Sequence, residues 1–220
     1  MRYKNPIEMV RGTHYGNNFF ITYSRKLSRV VKLFSNLEYY NFLMAEMDPE
    51  IIEFCEQFDE IRFPIQQTEV TFIPDMITED IRGRLRVKEV KYEAELTGQS
   101  DSAKRSQRQI KAESSWCREM GYGFDLVTEQ ELMQGFLIPN LHNLAARVRK
   151  YYSPDSSNER LLRRLYDSRT ELTLYDIVSS NRLPSGHELD ALADLQYQGI
   201  IEMDLVSHPI NGNTRIRLIK

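Results

Sequence analysis

Three charged residues near the middle of the chain have types and spacing that suit hydrolytic chemistry. Asp75 follows Pro74 at the end of a short apolar run, and Glu89 and Lys91 lie two residues apart in the next run. Residues two apart on a strand point to the same face, so Glu89 and Lys91 are predicted to share one. If the two runs pair as a hairpin, Asp75 and Glu89 meet across neighbouring strands.

Two carboxylates placed in this way are suitable ligands for a hard divalent cation. Mg²⁺ and Mn²⁺ prefer oxygen ligands and keep several waters. An ion held by Asp75 and Glu89 would activate a water and neutralise charge on a phosphodiester. Lys91 would lower the pKa of that water or steady the pentavalent phosphate. The alternative is a solvated, salt-bridged strand face, which contributes only about 0–1 kcal/mol.

The elements that must position these residues can be read from the pattern. Residues 69–78 and 82–93 are predicted as the strands of the hairpin, with Asp75 on the hairpin side of its strand and Asp80 and Gly83 in the turn. Further strands are predicted over 28–35 and 61–65. Residues 123–132 are predicted as a strand followed by a turn, and residues 50–58 as a strand or a helical turn.

Three helices are predicted around these strands. The first covers 35–47, where Ser35 is a suitable N-cap and Glu38, three residues on, completes a capping box. The second covers 100–121 and the third 140–152. A side chain that caps a helix cannot ligate a metal in the same pose, so the role of Glu38 stays open between cap and ligand.

A compositional break near residue 153 predicts two domains. Residues 153–160 are rich in Ser, Pro and Asn, as linkers are. Three predicted helices and two strands follow, in winged-helix order. The expected domains are therefore 1–152, which is α/β, and 153–220, which is winged-helix-like. Acidic residues outnumber basic ones in the second, so its partner is DNA or protein.

Composition restricts the class of protein. The net charge of -3 excludes a histone-like basic binder, so any nucleic-acid surface must come from local clustering. No apolar run reaches the roughly 18 residues that cross a bilayer, and the first residues do not resemble a secretory signal. Cys55 and Cys117 fit buried thiols in a reducing compartment. A cytoplasmic protein without a membrane partner is expected.

Two motifs carry a family resemblance. "PD" at 74–75 with "EVK" at 89–91 resembles the PD-(D/E)xK pattern of restriction-endonuclease-like nucleases. "SNLE" at 35–38 and "EQFDEIRFP" at 56–64 resemble the TnsA family of transposon endonucleases. The resemblance implies an α/β fold with a mixed sheet flanked by helices, and a C-terminal winged-helix-like domain.

The same resemblance implies function. The catalytic residues would be Glu38, Asp75, Glu89 and Lys91, with the three acids as Mg²⁺ ligands and Mn²⁺ as a substitute. The enzyme would be bacterial and would cut the 5′ strand of double-stranded DNA at transposon ends. Its partners would be a DDE transposase, which cuts the 3′ strand, and an AAA+ regulatory ATPase.

A basic run follows the predicted lysine strand. It consists of Lys104, Arg105, Arg108 and Lys111 on the second helix. The fold that the resemblance implies tends to meet the DNA backbone here, so phosphate contact is expected, with a solvated helix face as the alternative.

Two other functions are compatible with the sequence. One is a restriction or repair nuclease that has the same core and works alone. The other is a DNA-binding regulator whose N-terminal domain is an inactive scaffold.

Overall fold

The chain divides into two compact units. A computed structural model describes residues 3–9, 18–65, 68–148, 166, 171–178 and 185–219. Unit 1 comprises Met1–Ala45 and Glu50–Leu132, and unit 2 comprises Glu46–Pro49 and Met133–Lys220. The predicted boundary at 152/153 and the linker 153–160 lie outside the described residues. That division of the chain stays a prediction.

A four-stranded mixed sheet forms the centre of unit 1. Its order is β3, β6, β7, β8. The pairs β3–β6 and β6–β7 are antiparallel, and the pair β7–β8 is parallel. The strands are β3 (Ile51–Glu56), β6 (Met76–Asp80), β7 (Leu85–Lys91) and β8 (Gly123–Thr128). Parallel neighbours need a crossover connection, and here helices provide it.

The turn between β6 and β7 is built as the sequence predicts. Gly83 has a φ of 73°, a conformation that glycine adopts without steric cost. One carboxylate oxygen of Asp80 accepts hydrogen bonds from the backbone N–H groups of Arg82 (2.9 Å) and Arg84 (3.0 Å). This turn fixes the register in which Met76 lies opposite Lys88.

The prediction of one strand over 69–78 is wrong. The segment forms two strands, β5 (Thr68–Phe72) and β6, that belong to different sheets. β5 pairs with β4 (Ile61–Ile65), whereas β6 enters the central sheet. Asp75 therefore stands just before β6, at the end away from the hairpin turn. Its neighbour Pro74 has no N–H to donate to a ladder, which favours a break there.

The crossover from β7 to β8 contains helices α2 (Glu93–Thr97) and α3 (Asp101–Met120). The Ser100 hydroxyl accepts a hydrogen bond from the N–H of Ala103 at 3.1 Å, and Gly121 closes α3 in the left-handed conformation. Both ends match the predicted helix over 100–121. One face of α3 is buried, at Ala103, Ser106, Ala112, Glu113 and Cys117.

Helix α1 and a two-stranded ribbon complete the surroundings of the sheet. α1 spans Asn36–Met47, close to its predicted bounds. The ribbon consists of β1 (Phe20–Ser24) and β2 (Arg29–Leu33). Phe20 stacks on Tyr39 of α1 at 4.3 Å between ring centroids. A short helix, α4 (Glu129–Leu132), follows β8.

Two clusters of described core residues lie on opposite faces of β7. Val87 packs in a cluster with Ala112 and Cys117 of α3 and with residues of β3 to β6. Val90, on the other face, packs with Leu37 of α1 and with Leu132. The face of β7 that carries Val87 therefore passes from hydrophobic core into the polar pair Glu89 and Lys91.

Unit 2 contains three described helices and a three-stranded sheet. The helices are α5 (Leu137–Val148), α6 (Leu174–Val178) and α7 (Gly186–Tyr197), and the strands are β9 (Leu172–Thr173), β10 (Ile201–Met203) and β11 (Arg215–Leu218). The sheet is antiparallel, in the order β10, β11, β9. The helix predicted over 140–152 begins three residues earlier, at Leu137. The winged-helix assignment stays a prediction, and most of its first helix lies outside the described residues.

The helices that the structure describes include none that is long and apolar enough to cross a membrane.

Candidate active site

Glu89 stands at the centre of the polar cluster. Its side chain is fully buried on β7. One carboxylate oxygen accepts hydrogen bonds from Lys91 Nζ (2.5 Å) and Gln109 Nε2 (2.8 Å), and the other accepts one from the backbone N–H of Asp75 (3.2 Å). Strand β7, helix α3 and the segment before β6 thus converge on a single carboxylate.

Asp75 lies beside Glu89, as the sequence predicts, although it is not within a strand. The Met76–Lys88 pair ends the ladder between β6 and β7. Asp75, just before β6, therefore lies beside Glu89, the next residue on β7. The backbone N–H of Val90 donates to Asp75 Oδ2 at 2.8 Å. Two backbone hydrogen bonds therefore tie Asp75 to β7, one from its own N–H to Glu89 and one to its carboxylate from Val90.

Glu38 supplies an acid from α1. The Ser35 hydroxyl accepts from the N–H of Glu38 at 3.1 Å, which is half of the predicted capping box. The Glu38 carboxylate does not complete that box: it accepts from the N–H of Phe34 (3.0 Å) and from Gln57 Nε2 (2.7 Å). Both hydrogen bonds are made to Oε2 and fix the position of the Glu38 carboxylate. The charge of Asp75 repels this carboxylate.

Gln57 is a site residue that the analysis of single residues missed. Its backbone N–H donates to the carbonyl of Asp75 at 3.1 Å, and its side chain donates to Glu38. Its φ of 32° is rare for a residue with a Cβ and is strained. Gln57 therefore ties two acids of the cluster together. In the sequence, only the family resemblance of "EQFDEIRFP" points to this residue.

Glu113 is a second missed residue. It lies on α3, one turn after Gln109, and its side chain is 0% exposed. No donor among the described residues reaches either carboxylate oxygen. A hydrogen bond between Glu113 and Glu89 would need a proton on one of them. The signal in the sequence was its place on the buried stripe of α3.

Burial raises the pKa of every acid in the cluster, and repulsion by a neighbouring carboxylate adds to the rise for Glu38, Glu89 and Glu113. Burial, followed by the charge of Asp75, raises the pKa of Glu38 to about 7 and that of Glu89 to about 8. Burial, followed by the charge of Glu89, raises the pKa of Glu113 to about 10. Burial also raises the pKa of Asp75. The acids therefore hold protons to higher pH than isolated carboxyl groups do, and a nearby cation would favour their ionised forms.

Lys91 is the cation within this cluster. Burial alone would lower the pKa of Lys91, but the carboxylates of Asp75 and Glu89 raise it above its ordinary value. The ammonium thus stays charged throughout the physiological range. Its positive charge in turn favours the ionised forms of Asp75 and Glu89.

The donor set suits a hard cation. Every acidic group in the cluster presents oxygen, as Mg²⁺ and Mn²⁺ require. Within the described part of the chain, no three His, Cys, Asp or Glu side chains already surround one point at ligand distance. Asp75, Glu89 and Glu38 are the residues that could hold such an ion.

The basic residues of α3 are separate from this cluster. Lys104, Arg105, Arg108 and Lys111 are all exposed, on the helix face opposite the buried stripe. None of them forms an ion pair with another described residue. Gln107, between them, uses its amide within the fold, donating to the carbonyls of Leu96 (2.8 Å) and Gly98 (3.1 Å). The four cations therefore keep their charge available to solvent.

The mixed sheet flanked by helices, with an acid–lysine cluster on its central strands, fits the restriction-endonuclease-like fold. Residues 48–129 match the family described as TnsA-like endonuclease N terminal. The chain thus carries a TnsA-like endonuclease domain, which confirms the predicted TnsA-family resemblance and indicates a transposition-associated nuclease. Asp75, Glu89 and Lys91 lie inside the matched segment, whereas Glu38 lies outside it. No curated protein matches the chain.

Proposed function

We propose that the chain is a Mg²⁺-dependent DNA endonuclease that cuts the 5′ strand at transposon ends. A DDE transposase would cut the 3′ strand, and an AAA+ ATPase would regulate the pair. The observation that carries the proposal is the hydrogen-bonded cluster of Asp75, Glu89 and Lys91 inside a TnsA-like endonuclease domain.

Asp75 and Glu89, assisted by Glu38, would hold the ion, and Mn²⁺ would substitute for Mg²⁺. When bound, such an ion supplies an acidified water and neutralises charge on the phosphodiester. The number of carboxyl groups supports this assignment: Glu89 and Glu113 are buried, Glu38 and Asp75 are partly buried, and Lys91 is the ammonium among them.

Lys91 would contribute a fixed positive charge at the scissile phosphate. Its ammonium is held at 2.5 Å by Glu89 and remains protonated, so it can stabilise the negative charge that develops as the phosphate is attacked. Gln109 and Gln57 would be positioning residues. Gln109 orients Glu89, and Gln57 orients Glu38.

The exposed cations of α3 would contact the DNA backbone. Lys104, Arg105, Arg108 and Lys111 follow the lysine strand directly and project to solvent, where phosphate contacts add affinity without reading sequence. Unit 2, with the predicted winged-helix-like domain, would bind DNA or one of the protein partners.

A strand-specific cleavage assay tests the proposal. Asp75→Ala, with transposase and ATPase present, is expected to abolish 5′-strand cutting at the transposon end while 3′ cutting persists. The control is Glu119→Gln, which changes an exposed charge on α3. Normal cutting of both strands by Asp75→Ala would refute the assignment.

Two further outcomes would replace the proposal with another function. Efficient cutting of plasmid DNA by the chain alone with Mg²⁺ would favour a stand-alone nuclease. Calorimetry that detects no Mn²⁺ binding dependent on Asp75 and Glu89 would favour a DNA-binding regulator.

A further inference from the structure

Helix α3 has two chemically different sides. Its outer side carries the exposed cations, and its inner side faces the acid cluster. Gln109 on the inner side donates to Glu89 at 2.8 Å. Residues four apart on a helix lie on the same face, so Glu113 is the next side chain along that side. Its charge interacts most strongly with those of Glu89 and Asp75.

Glu113 is costly where it stands. The carboxyl group is fully buried, and no described donor compensates it. A buried acid without such compensation weakens a fold, whereas an apolar side chain next to Ala112 and Cys117 would pack without that cost. Packing alone therefore gives no reason for an acid at this position.

We propose that Glu113 contributes its carboxylate to the cation site of Asp75 and Glu89. α3 then holds metal on its inner side and DNA on its outer side. This inference rests on the proposed function, because it requires a divalent cation in the cluster. Glu113 would be a fourth acid of the cation site, besides Glu38, Asp75 and Glu89. It lies in the matched segment but is not part of the PD or EVK motif.

A neutral role for Glu113 makes a different prediction. A protonated Glu113 would act only as a hydrogen-bond donor to Glu89. Glutamine retains a donor of nearly the same shape but has no charge. Glu113→Gln therefore removes a metal ligand while it preserves a hydrogen-bonding role.

Isothermal calorimetry of the full chain with Mn²⁺ separates the two roles. Glu113→Gln is expected to weaken Mn²⁺ binding about 10- to 100-fold, the range found when groups supporting a metal site are lost. Glu119→Gln, the same change on the exposed side of α3, is expected to bind as the wild type does. Mn²⁺ affinity within threefold of wild type in Glu113→Gln would overturn the inference.

Two additional variants keep the test decisive. Glu113→Met removes charge and donor together and suits the apolar surroundings, so it is expected to show the same loss even if the glutamine variant folds poorly. Asp75→Asn tests the cation site itself. If the wild type does not bind Mn²⁺, the proposed function fails. If Asp75→Asn loses binding and both Glu113 variants retain it, only the role of Glu113 fails.

Discussion

Replacing Glu113 by glutamine is expected to stabilise the cation-free protein at alkaline pH. Burial, followed by the charge of Glu89, raises the pKa of Glu113 from 4.5 to about 10. Between these values the folded protein keeps a proton that the unfolded chain has released. The unfolded state then binds fewer protons, so the free energy of unfolding of the wild type falls as pH rises through this window.

The size of the effect follows from one proton. A difference of one bound proton changes the free energy of unfolding by about 1.4 kcal/mol per pH unit. Glutamine has no such proton, and the substitution removes no acceptor that a described donor uses. Glu89, with a pKa of about 8, titrates in the same pH range. The free energy of unfolding of the variant therefore still falls with pH, although less steeply than that of the wild type. We therefore expect the advantage of Glu113→Gln to grow by about 2–4 kcal/mol over three pH units.

Urea unfolding in EDTA at three pH values between 5.5 and 8.5 measures this advantage. The single tryptophan, Trp116, packs against Phe58 and Phe72 in the core and reports unfolding by fluorescence. Glu119→Gln is the control, and its difference from wild type should not depend on pH. If the difference in free energy of unfolding between Glu113→Gln and the wild type does not change across this pH range, the reasoning about the buried acid is refuted.

Three further predictions concern other parts of unit 1. Gln57→Ala removes the 2.7 Å bond to Glu38 and is expected to weaken Mn²⁺ binding about 10-fold, which calorimetry measures; unchanged affinity would contradict the positioning role. Arg29 pairs with Glu56 at 2.6 Å, and the Glu56 side chain is 1% exposed, so Arg29→Ala leaves a buried carboxylate without its partner. Urea unfolding should show that the free energy of unfolding falls by about 3–5 kcal/mol, and a fall below about 1 kcal/mol would contradict this. Arg108→Ala should lower the slope of log affinity for DNA against log salt by about 1, and an identical slope would argue against a phosphate contact.

The sequence predicts the parts of the site that depend on local rules. Strand periodicity placed Glu89 and Lys91 on one face of β7, and turn chemistry at Asp80 and Gly83 predicted the hairpin. Capping rules predicted both ends of α3. Each of these features depends on residues a few positions apart, so a short window of sequence contains the information.

The features that the sequence did not predict depend on distant contacts. The break of 69–78 into β5 and β6 arises because the two halves pair with different strands, β4 and β3. The bond from Gln57 to Glu38 spans 19 residues, and the bond from Gln109 on α3 to Glu89 spans 20. The positive φ of Gln57 could not be predicted either, because glutamine rarely adopts such a conformation and nothing in the sequence marks it.

The two cysteines have a practical consequence. Cys55 and Cys117 are the only thiols of the chain; both are buried and unpaired, and burial raises the pKa of each to about 12. Because the thiolate is the reactive form, both should resist alkylating dyes at neutral pH. A cysteine introduced by Glu119→Cys should therefore take up a maleimide fluorophore selectively, with mass spectrometry of treated wild type as the check. The native protein is thus ready for site-directed labelling of α3 without prior removal of its own cysteines.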